Sequence, residues 1–376
     1  MRQELISQAK RVVLKVGSSI ISSKDRGLNP TRIDALAEEV CLLKEKGYQV
    51  VLVSSGAIAS GLEPLGLSCR PQDIALKQAA AAVGQSRLMW SYERAFHPFG
   101  QRVAQILLTH EDLSQRRRFL NARNTLLTLL AHRVIPVINE NDTVSVEEIQ
   151  FGDNDMLASM VAHLIDAQLL VILSDVDGLY TRDPKKAPKA EMLRVVSEVT
   201  PEIERLAGEG TTAEGTGGMF SKVRAAKQAA TYGVATLMIN GRQDRILTRL
   251  FKGEDLGTLF LPHPSRLKSR KHWIAYTRRC KGWLYLDAGA VEALLQKGKS
   301  LLPSGIVKVD GEFEGGDAVS CLDEKGVEVA RGLVNYSSRE IEKIRGNRTA
   351  EIEKRLGYKF SDEVIHRDNL VILKKQ

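Results

Sequence analysis

Val12-Val13-Leu14-Lys15-Val16 runs directly into Gly17-Ser18-Ser19, and the reading of the fold starts from this stretch. A strand that faces water on one side alternates apolar and polar residues, whereas this one is apolar at four of its five positions. Near-continuous apolar character marks a strand covered on both faces, as in a parallel sheet between helices. The same texture returns at residues 50–53, 103–107, 134–138, 169–173 and 235–239, and each run predicts a strand in the middle of the sheet. Between the runs, residues 31–46 and 72–95 carry apolar positions three and four apart, the period of a crossover helix, and Gly47 stands where a C-terminal cap belongs. The expected class is α/β, an open and mostly parallel sheet sandwiched by helices.

The chain has 376 residues with a net charge of +8, 43% hydrophobic and 27% charged, which suits two folded units and excludes intrinsic disorder as the dominant state. Its four cysteines are far apart and form no Cys-x-x-Cys pair, so a disulfide framework or zinc ribbon is not indicated. The first residues lack the apolar core of a signal peptide, and no apolar run approaches the ~20 residues that span a bilayer. A soluble, cytoplasmic protein without membrane association is expected. A charge of +8 over this length is too dilute for a dedicated nucleic-acid binder and suits a nucleotide ligand equally well.

After Pro262 the texture changes. Arg266, Lys268, Arg270, Lys271, Arg278, Arg279 and Lys281 make a basic stretch, beyond which short β-like runs at 283–286, 306–309, 318–321, 327–330 and 333–334 are punctuated by glycines, as in a small barrel. The expected organisation is a catalytic domain over 1–265, a basic linker over 266–279, a small β-barrel-like domain over 280–360 and a tail over 361–376.

In open α/β sheets ligands collect at the carboxyl ends of strands, and the polar motifs fall there. Lys15 and Gly17 offer a cation beside bare backbone N–H groups, although the same turn serves as an ordinary strand-to-helix connection. Ser54-Ser55-Gly56-Ala57 ends the second strand at a helix start, where the helix dipole favours an anion and where serine also acts as a plain cap. Asn139-Glu140-Asn141-Asp142 closes the fourth strand, and Gly152-Asp153-Asn154-Asp155 opens an apolar helix about ten residues on. Ser174-Asp175-Val176-Asp177-Gly178 begins a long, mostly polar run after the most apolar strand, which packing alone does not account for. Gly215-Thr216-Gly217-Gly218-Met219, ahead of Phe220-Ser221-Lys222 and an alanine-rich helix, has the glycines and the lysine of a phosphate cradle.

Two motif matches fail on context. Gly208-Glu209-Gly210 and the residues after it follow a helical segment where a dinucleotide fingerprint needs a strand, and Gly298-Lys299-Ser300 is followed by Pro303 where a P-loop needs a helix. The seven histidines show no metal spacing, and His163 reads as a core residue.

Taken in order, these motifs, together with Gly84-Gln85-Ser86-Arg87 and the stretch from Arg118 to Arg123, resemble the amino acid kinase family, and the segment after Lys281 resembles a PUA domain. Within the family the match is to members whose acceptor is L-glutamate. The resemblance implies ATP-dependent phosphorylation of the γ-carboxylate, the first step of proline biosynthesis, by in-line transfer with Mg²⁺ and without a general base. It implies that Lys15 and Lys222 contact the phosphates with Asp155 holding them, that Ser55, Gly56, Asn139, Asp142 and Asn154 bind glutamate, and that Lys15, Ser174, Asp175 and the loop Thr216, Gly217, Gly218, Met219, Phe220, Ser221 and Lys222 hold ATP. Ser174 departs from the threonine expected there but keeps the hydroxyl. The metal ligands, Asp153 included, stay open. A homo-oligomer, proline as feedback inhibitor and a glutamate 5-phosphate reductase as partner are further implications. The alternatives are a family member with another acceptor, such as an acetylglutamate, aspartate or uridylate kinase, and an RNA-binding protein acting through the PUA-like domain.

Overall fold

A computed structural model describes residues 2–22, 27–144, 154–184, 187, 190–208, 218–263 and 280–373. The chain forms two compact units, residues 1–264 and 265–376.

In the larger unit the six expected strands are present: β1 (Arg11–Val16), β2 (Gln49–Ser54), β3 (Val103–Leu108), β4 (Ile135–Glu140), β5 (Leu169–Ser174) and β7 (Ala235–Asn240), with two short strands, β6 (Val195–Val196) and β8 (Thr258–Phe260). Their order is β3-β4-β2-β1-β5-β7-β8-β6, parallel except where β8 runs against β7. The helices are α1 (Arg2–Gln8), α2 (Ser18–Ile21), α3 (Pro30–Glu45), α4 (Ala57–Leu62), α5 (Ile74–Phe96), α6 (His110–Ser114), α7 (Arg116–Ala131), α8 (Asn154–Leu164), α9 (Pro201–Gly208), α10 (Met219–Thr231) and α11 (Ile246–Phe251).

One expectation fails at β3. Its apolar sequence predicted a central strand, but it lies at the edge and is only partly buried, because a helix on each face demands apolar residues whether or not both neighbours are present. β6 and β8 carry no such run and were not predicted. His163 is also only partly buried, its ring stacked on Tyr232 with centroids 4.1 Å apart.

Strand alternation positions the site. Val12, Leu14 and Val16 enter one apolar layer with residues of α3 and α5, while Val13 enters the opposite layer with Leu157 and Val161 of α8 and Ala225 and Ala229 of α10. Side chains two apart share a face, so Lys15 lies on the face covered by α8 and α10, both of which begin at the carboxyl edge of the sheet. On the other face α4 and α5 approach closely through two glycines. A Cβ on Gly61 would sit 1.9 Å from the Ala80 carbonyl oxygen, and one on Gly84 would sit 1.8 Å from that of Ala57.

The polar run after β5 is better explained than its sequence suggested. Leu179 is buried and donates its N–H to Thr258 Oγ1 of β8 at 2.8 Å, and Asp177 accepts hydrogen bonds from Asn240 and Gln243. Part of this run therefore ties β5 to the β7–β8 edge.

The smaller unit has a five-stranded sheet ordered β10-β9-β11-β12-β13, made of β9 (Gly282–Leu286), β10 (Ile306–Gly311), β11 (Ala318–Leu322), β12 (Glu328–Leu333) and β13 (Leu370–Ile372), antiparallel except between β9 and β11. The helices are α12 (Ala288–Leu295), α13 (Ser338–Ile344) and α14 (Ile352–Leu356). The runs at 327–330 and 333–334 form one strand, not two, since Arg331 and Gly332 keep the ladder to β11. The expected tail is part of this unit as far as residue 373: Val364, Ile365 and Leu370 lie in its core, β13 pairs with β12, and Tyr336 Oη accepts from Ser361 N at 2.7 Å. The expected linker, 266–279, lies outside the described residues.

Candidate active site

β1, β2, β4 and β5 end side by side, with Val16 opposite both Ser54 and Leu173, and a cavity opens at this edge. α8 begins there, and its first two residues reach different groups.

Asp155 is completely buried between two cations. Its Oδ1 is 2.7 Å from Lys15 Nζ, its Oδ2 is 3.4 Å from Lys222 Nζ, and Oδ2 also accepts from Ser221 Oγ at 2.9 Å. Burial alone would push the Asp155 carboxyl upward, but the charges of Lys15 and then Lys222, with the hydrogen bonds from Lys15 and Ser221, hold it below its ordinary value. One carboxylate thus fixes two ammonium groups that would otherwise repel each other.

Asn154 lies one residue earlier and turns to the neighbouring strand ends. Its Nδ2 is 3.0 Å from Ser55 Oγ and 3.1 Å from Asn139 Oδ1, and its own Oδ1 is buried with no partner among the described residues. Asn139 is oriented in turn by Gln85 of α5, whose Oε1 accepts from Asn139 Nδ2 at 2.9 Å. Gly56, before α4, adopts φ +107°, a conformation that favours glycine. Asp142 lies beyond β4, where burial pushes its carboxyl up to about 6 despite the opposing charge of Arg70.

Ten of the expected residues line this one cavity: Lys15, Ser55, Gly56, Asn139, Asp142, Asn154, Asp155, Ser174, Asp175 and Lys222. Ser221 reaches Asp155 without lining the cavity, and Gly218 caps the start of α10. Met219 and Phe220 also stay outside the lining: Met219 packs against the cluster around Val223 and Met238, and Phe220 lies under the Arg224 guanidinium. Thr216, Gly217 and Asp153 fall outside the described residues. Sequence reasoning gave no role to Arg70 or Gln85. Gln85 stood within a recognised motif, but Arg70 sits in an irregular turn that carries no pattern.

The amino acid kinase family model matches residues 10–240, and the PUA domain model matches residues 282–356. The chain belongs to the amino acid kinase family, with a PUA domain behind the kinase domain. Its relatives narrow the comparison further. It is 54% identical over 374 residues to a glutamate 5-kinase of Syntrophotalea carbinolica, covering 100% of both chains. It is 53% identical over 373 residues to a glutamate 5-kinase of Geobacter sulfurreducens, covering 99% of this chain and 100% of the relative. With the glutamate 5-kinase of Caldanaerobacter subterraneus subsp. tengcongensis the identity is 49% over 365 residues, 97% of this chain and 98% of the relative. Among the described residues no helix is long and apolar enough to cross a membrane.

Proposed function

We infer that this chain transfers the terminal phosphoryl group of ATP to the γ-carboxylate of L-glutamate, giving L-glutamyl 5-phosphate and ADP. The observation that carries this reading is the buried Asp155 carboxylate with a lysine on each oxygen, at the edge of a kinase-family sheet, in a chain that aligns end to end with glutamate 5-kinases.

The acceptor carboxylate, with a reference pKa near ~4.3, is already ionised at neutral pH, so no residue has to remove a proton. A carboxylate oxygen bonds to the terminal phosphorus as the bond from that phosphorus to the bridging oxygen of ADP breaks, and no proton moves. The obstacle is repulsion between two anions, and preorganised cations are the remedy. Lys15 and Lys222 supply them. Asp155 holds both Nζ atoms in place beforehand, so little reorganisation accompanies the transfer.

At the acceptor end, Ser55, Asn139 and Asn154 form one hydrogen-bonded row, and Asn154 Oδ1, which has no partner among the described residues, and the Asp142 carboxylate suit a ligand that brings its own donors, as the glutamate ammonium does. ATP occupies the side of Ser174, Asp175 and Lys222. Mg²⁺ fits this site as a companion of the phosphates, because Asp175 lines the cavity and magnesium commonly takes only one or two carboxylates beside phosphate and water. Asp175, about half exposed, would hold it, and the charge of the ion would offset that of the phosphates. The kinase domain over 1–265 carries all of this, and the acyl phosphate product suits a reductase as the next enzyme, at the start of proline biosynthesis.

The test is to incubate the protein with ATP, Mg²⁺, hydroxylamine and single amino acids. Hydroxamate that appears with glutamate, and not with aspartate or acetylglutamate, supports this reading; any other acceptor preference refutes it.

A further inference from the structure

Glutamate carries two carboxylates and one ammonium, so a site that recognises it whole needs a counter-charge for each. Three cationic side chains line the cavity among the described residues: Lys15, Lys222 and Arg70. The two lysines are held by Asp155 at the phosphoryl end. Arg70 is different. It sits in the turn between α4 and α5, and among the described residues its guanidinium makes no hydrogen bond or ion pair. Asp142, lining the same cavity, is likewise without a hydrogen-bond or ion-pair partner there, yet the two charges are near enough for Arg70 to act on the Asp142 carboxyl.

An acid and a base that sense each other but do not bond present a positive and a negative site with a gap between. The α-carbon of an amino acid has the inverse arrangement, an ammonium and a carboxylate on one atom. We propose that Arg70 is a specificity-determining residue that binds the α-carboxylate of the acceptor while Asp142 takes its ammonium. This rests on the reading of glutamate as acceptor. The planar fork of a guanidinium matches a carboxylate with two parallel N–H···O bonds, which an ammonium cannot do. The irregular turn also leaves the side chain free to meet its ligand, whereas Lys15 is fixed in a strand.

The experiment compares glutamate with 4-aminobutyrate, which is glutamate without the α-carboxylate, in the full-length wild type and in Arg70→Ala and Arg70→Lys. Each ligand is read as a substrate through hydroxamate formation, and 4-aminobutyrate also as a competitor of glutamate. Arg70→Ala should raise the glutamate KM by about 10²-fold, the worth of a charge-assisted pair, and leave kcat and the affinity for 4-aminobutyrate within about threefold. Arg70→Lys should fall between, because it keeps the charge and loses the fork. Thermal melts of the variants should match the wild type, since the side chain is exposed.

Equal losses with both ligands would mean that Arg70 acts through Asp142 or the local fold, and an unchanged glutamate KM would mean that it does not touch the substrate; either overturns the proposal while glutamate remains the acceptor. A wild-type chain that makes no glutamate hydroxamate at all would instead remove the acceptor reading, and this proposal with it.

Discussion

At the end of the cavity to which we assign the phosphoryl group, Asp155, Lys15 and Lys222 are buried, mutually paired and carried on a strand and two helix starts. At the end to which we assign the acceptor, Asp142 and Arg70 have no hydrogen-bond or ion-pair partner among the described residues and sit in irregular chain. The difference follows from what each end has to do. Charges that must already be in place when phosphorus changes partners are fixed in advance by the protein, whereas charges that recognise a zwitterion are left for the ligand to complete. The first arrangement belongs to folding as much as to catalysis, and the second belongs to binding.

Asp155→Asn should have the largest effect, because it removes the shared partner of two buried ammonium groups. We expect turnover to fall by roughly 10³-fold and stability by about 3–5 kcal/mol, read by hydroxamate formation and by denaturant melts. The depressed Asp155 carboxyl adds a sign: its stabilisation is present above the unfolded value of 3.8 and is lost as the pH falls toward its folded value. Wild-type stability in this variant would end the idea that the phosphoryl end is built into the fold.

Lys222→Met should separate the two roles. Asp155 keeps Lys15 at 2.7 Å, so the melt should shift less than in Asp155→Asn, while kcat falls by about 10²-fold. Near-normal turnover would leave Lys222 a structural partner only.

The acceptor end should respond the other way. Asp142→Ala should raise the KM for glutamate more than tenfold, on the order of one charge-assisted bond, with a smaller change in the KM for ATP and an unchanged melt. Matching shifts in both constants would place Asp142 outside the acceptor subsite. The pH dependence is a finer probe of the same end. Burial holds the Asp142 carboxyl up to about 6, so protonation below that removes the charge that faces the ammonium, and kcat/KM for glutamate should fall as the pH drops through this value. Asp142→Asn should flatten that limb; a limb that persists in the variant belongs to another group.

The smallest effect is expected from ending the chain near residue 265. Every described residue lining the cavity lies at or before Lys222, so the truncated chain should fold and keep both ends of the site. Circular dichroism followed by the hydroxamate assay checks this, and a folded but inactive product would show that the second unit helps to build the site.

The near-continuous apolar runs made β1, β2, β4, β5 and β7 legible in the sequence, and polar residues at the carboxyl ends of those runs placed Lys15, Ser55, Asn139 and Ser174 along one edge of the sheet. Asn154 and Asp155 were legible as a helix start, because an apolar helix follows them. These are local signals, written in residues that are neighbours in the chain.

Other features depended on which elements became neighbours in space. β3 has the composition of a central strand and lies at the edge, and β8 is too short to announce itself or its antiparallel direction. The orientation of Asn139 depends on Gln85, 54 residues away, through a single buried hydrogen bond. Arg70 gained meaning only by lining the same cavity as Asp142, and an irregular turn has no period from which that could be read. The sequence by itself determined which segments are strands and helices and which polar residues stand at their ends, since burial and backbone period act over a few residues. Strand order, the hydrogen bond between Asn139 and Gln85 and the presence of Arg70 and Asp142 in one cavity were decided by the tertiary structure alone, because charge and hydrogen bonding act through distance in space and take no account of separation along the chain.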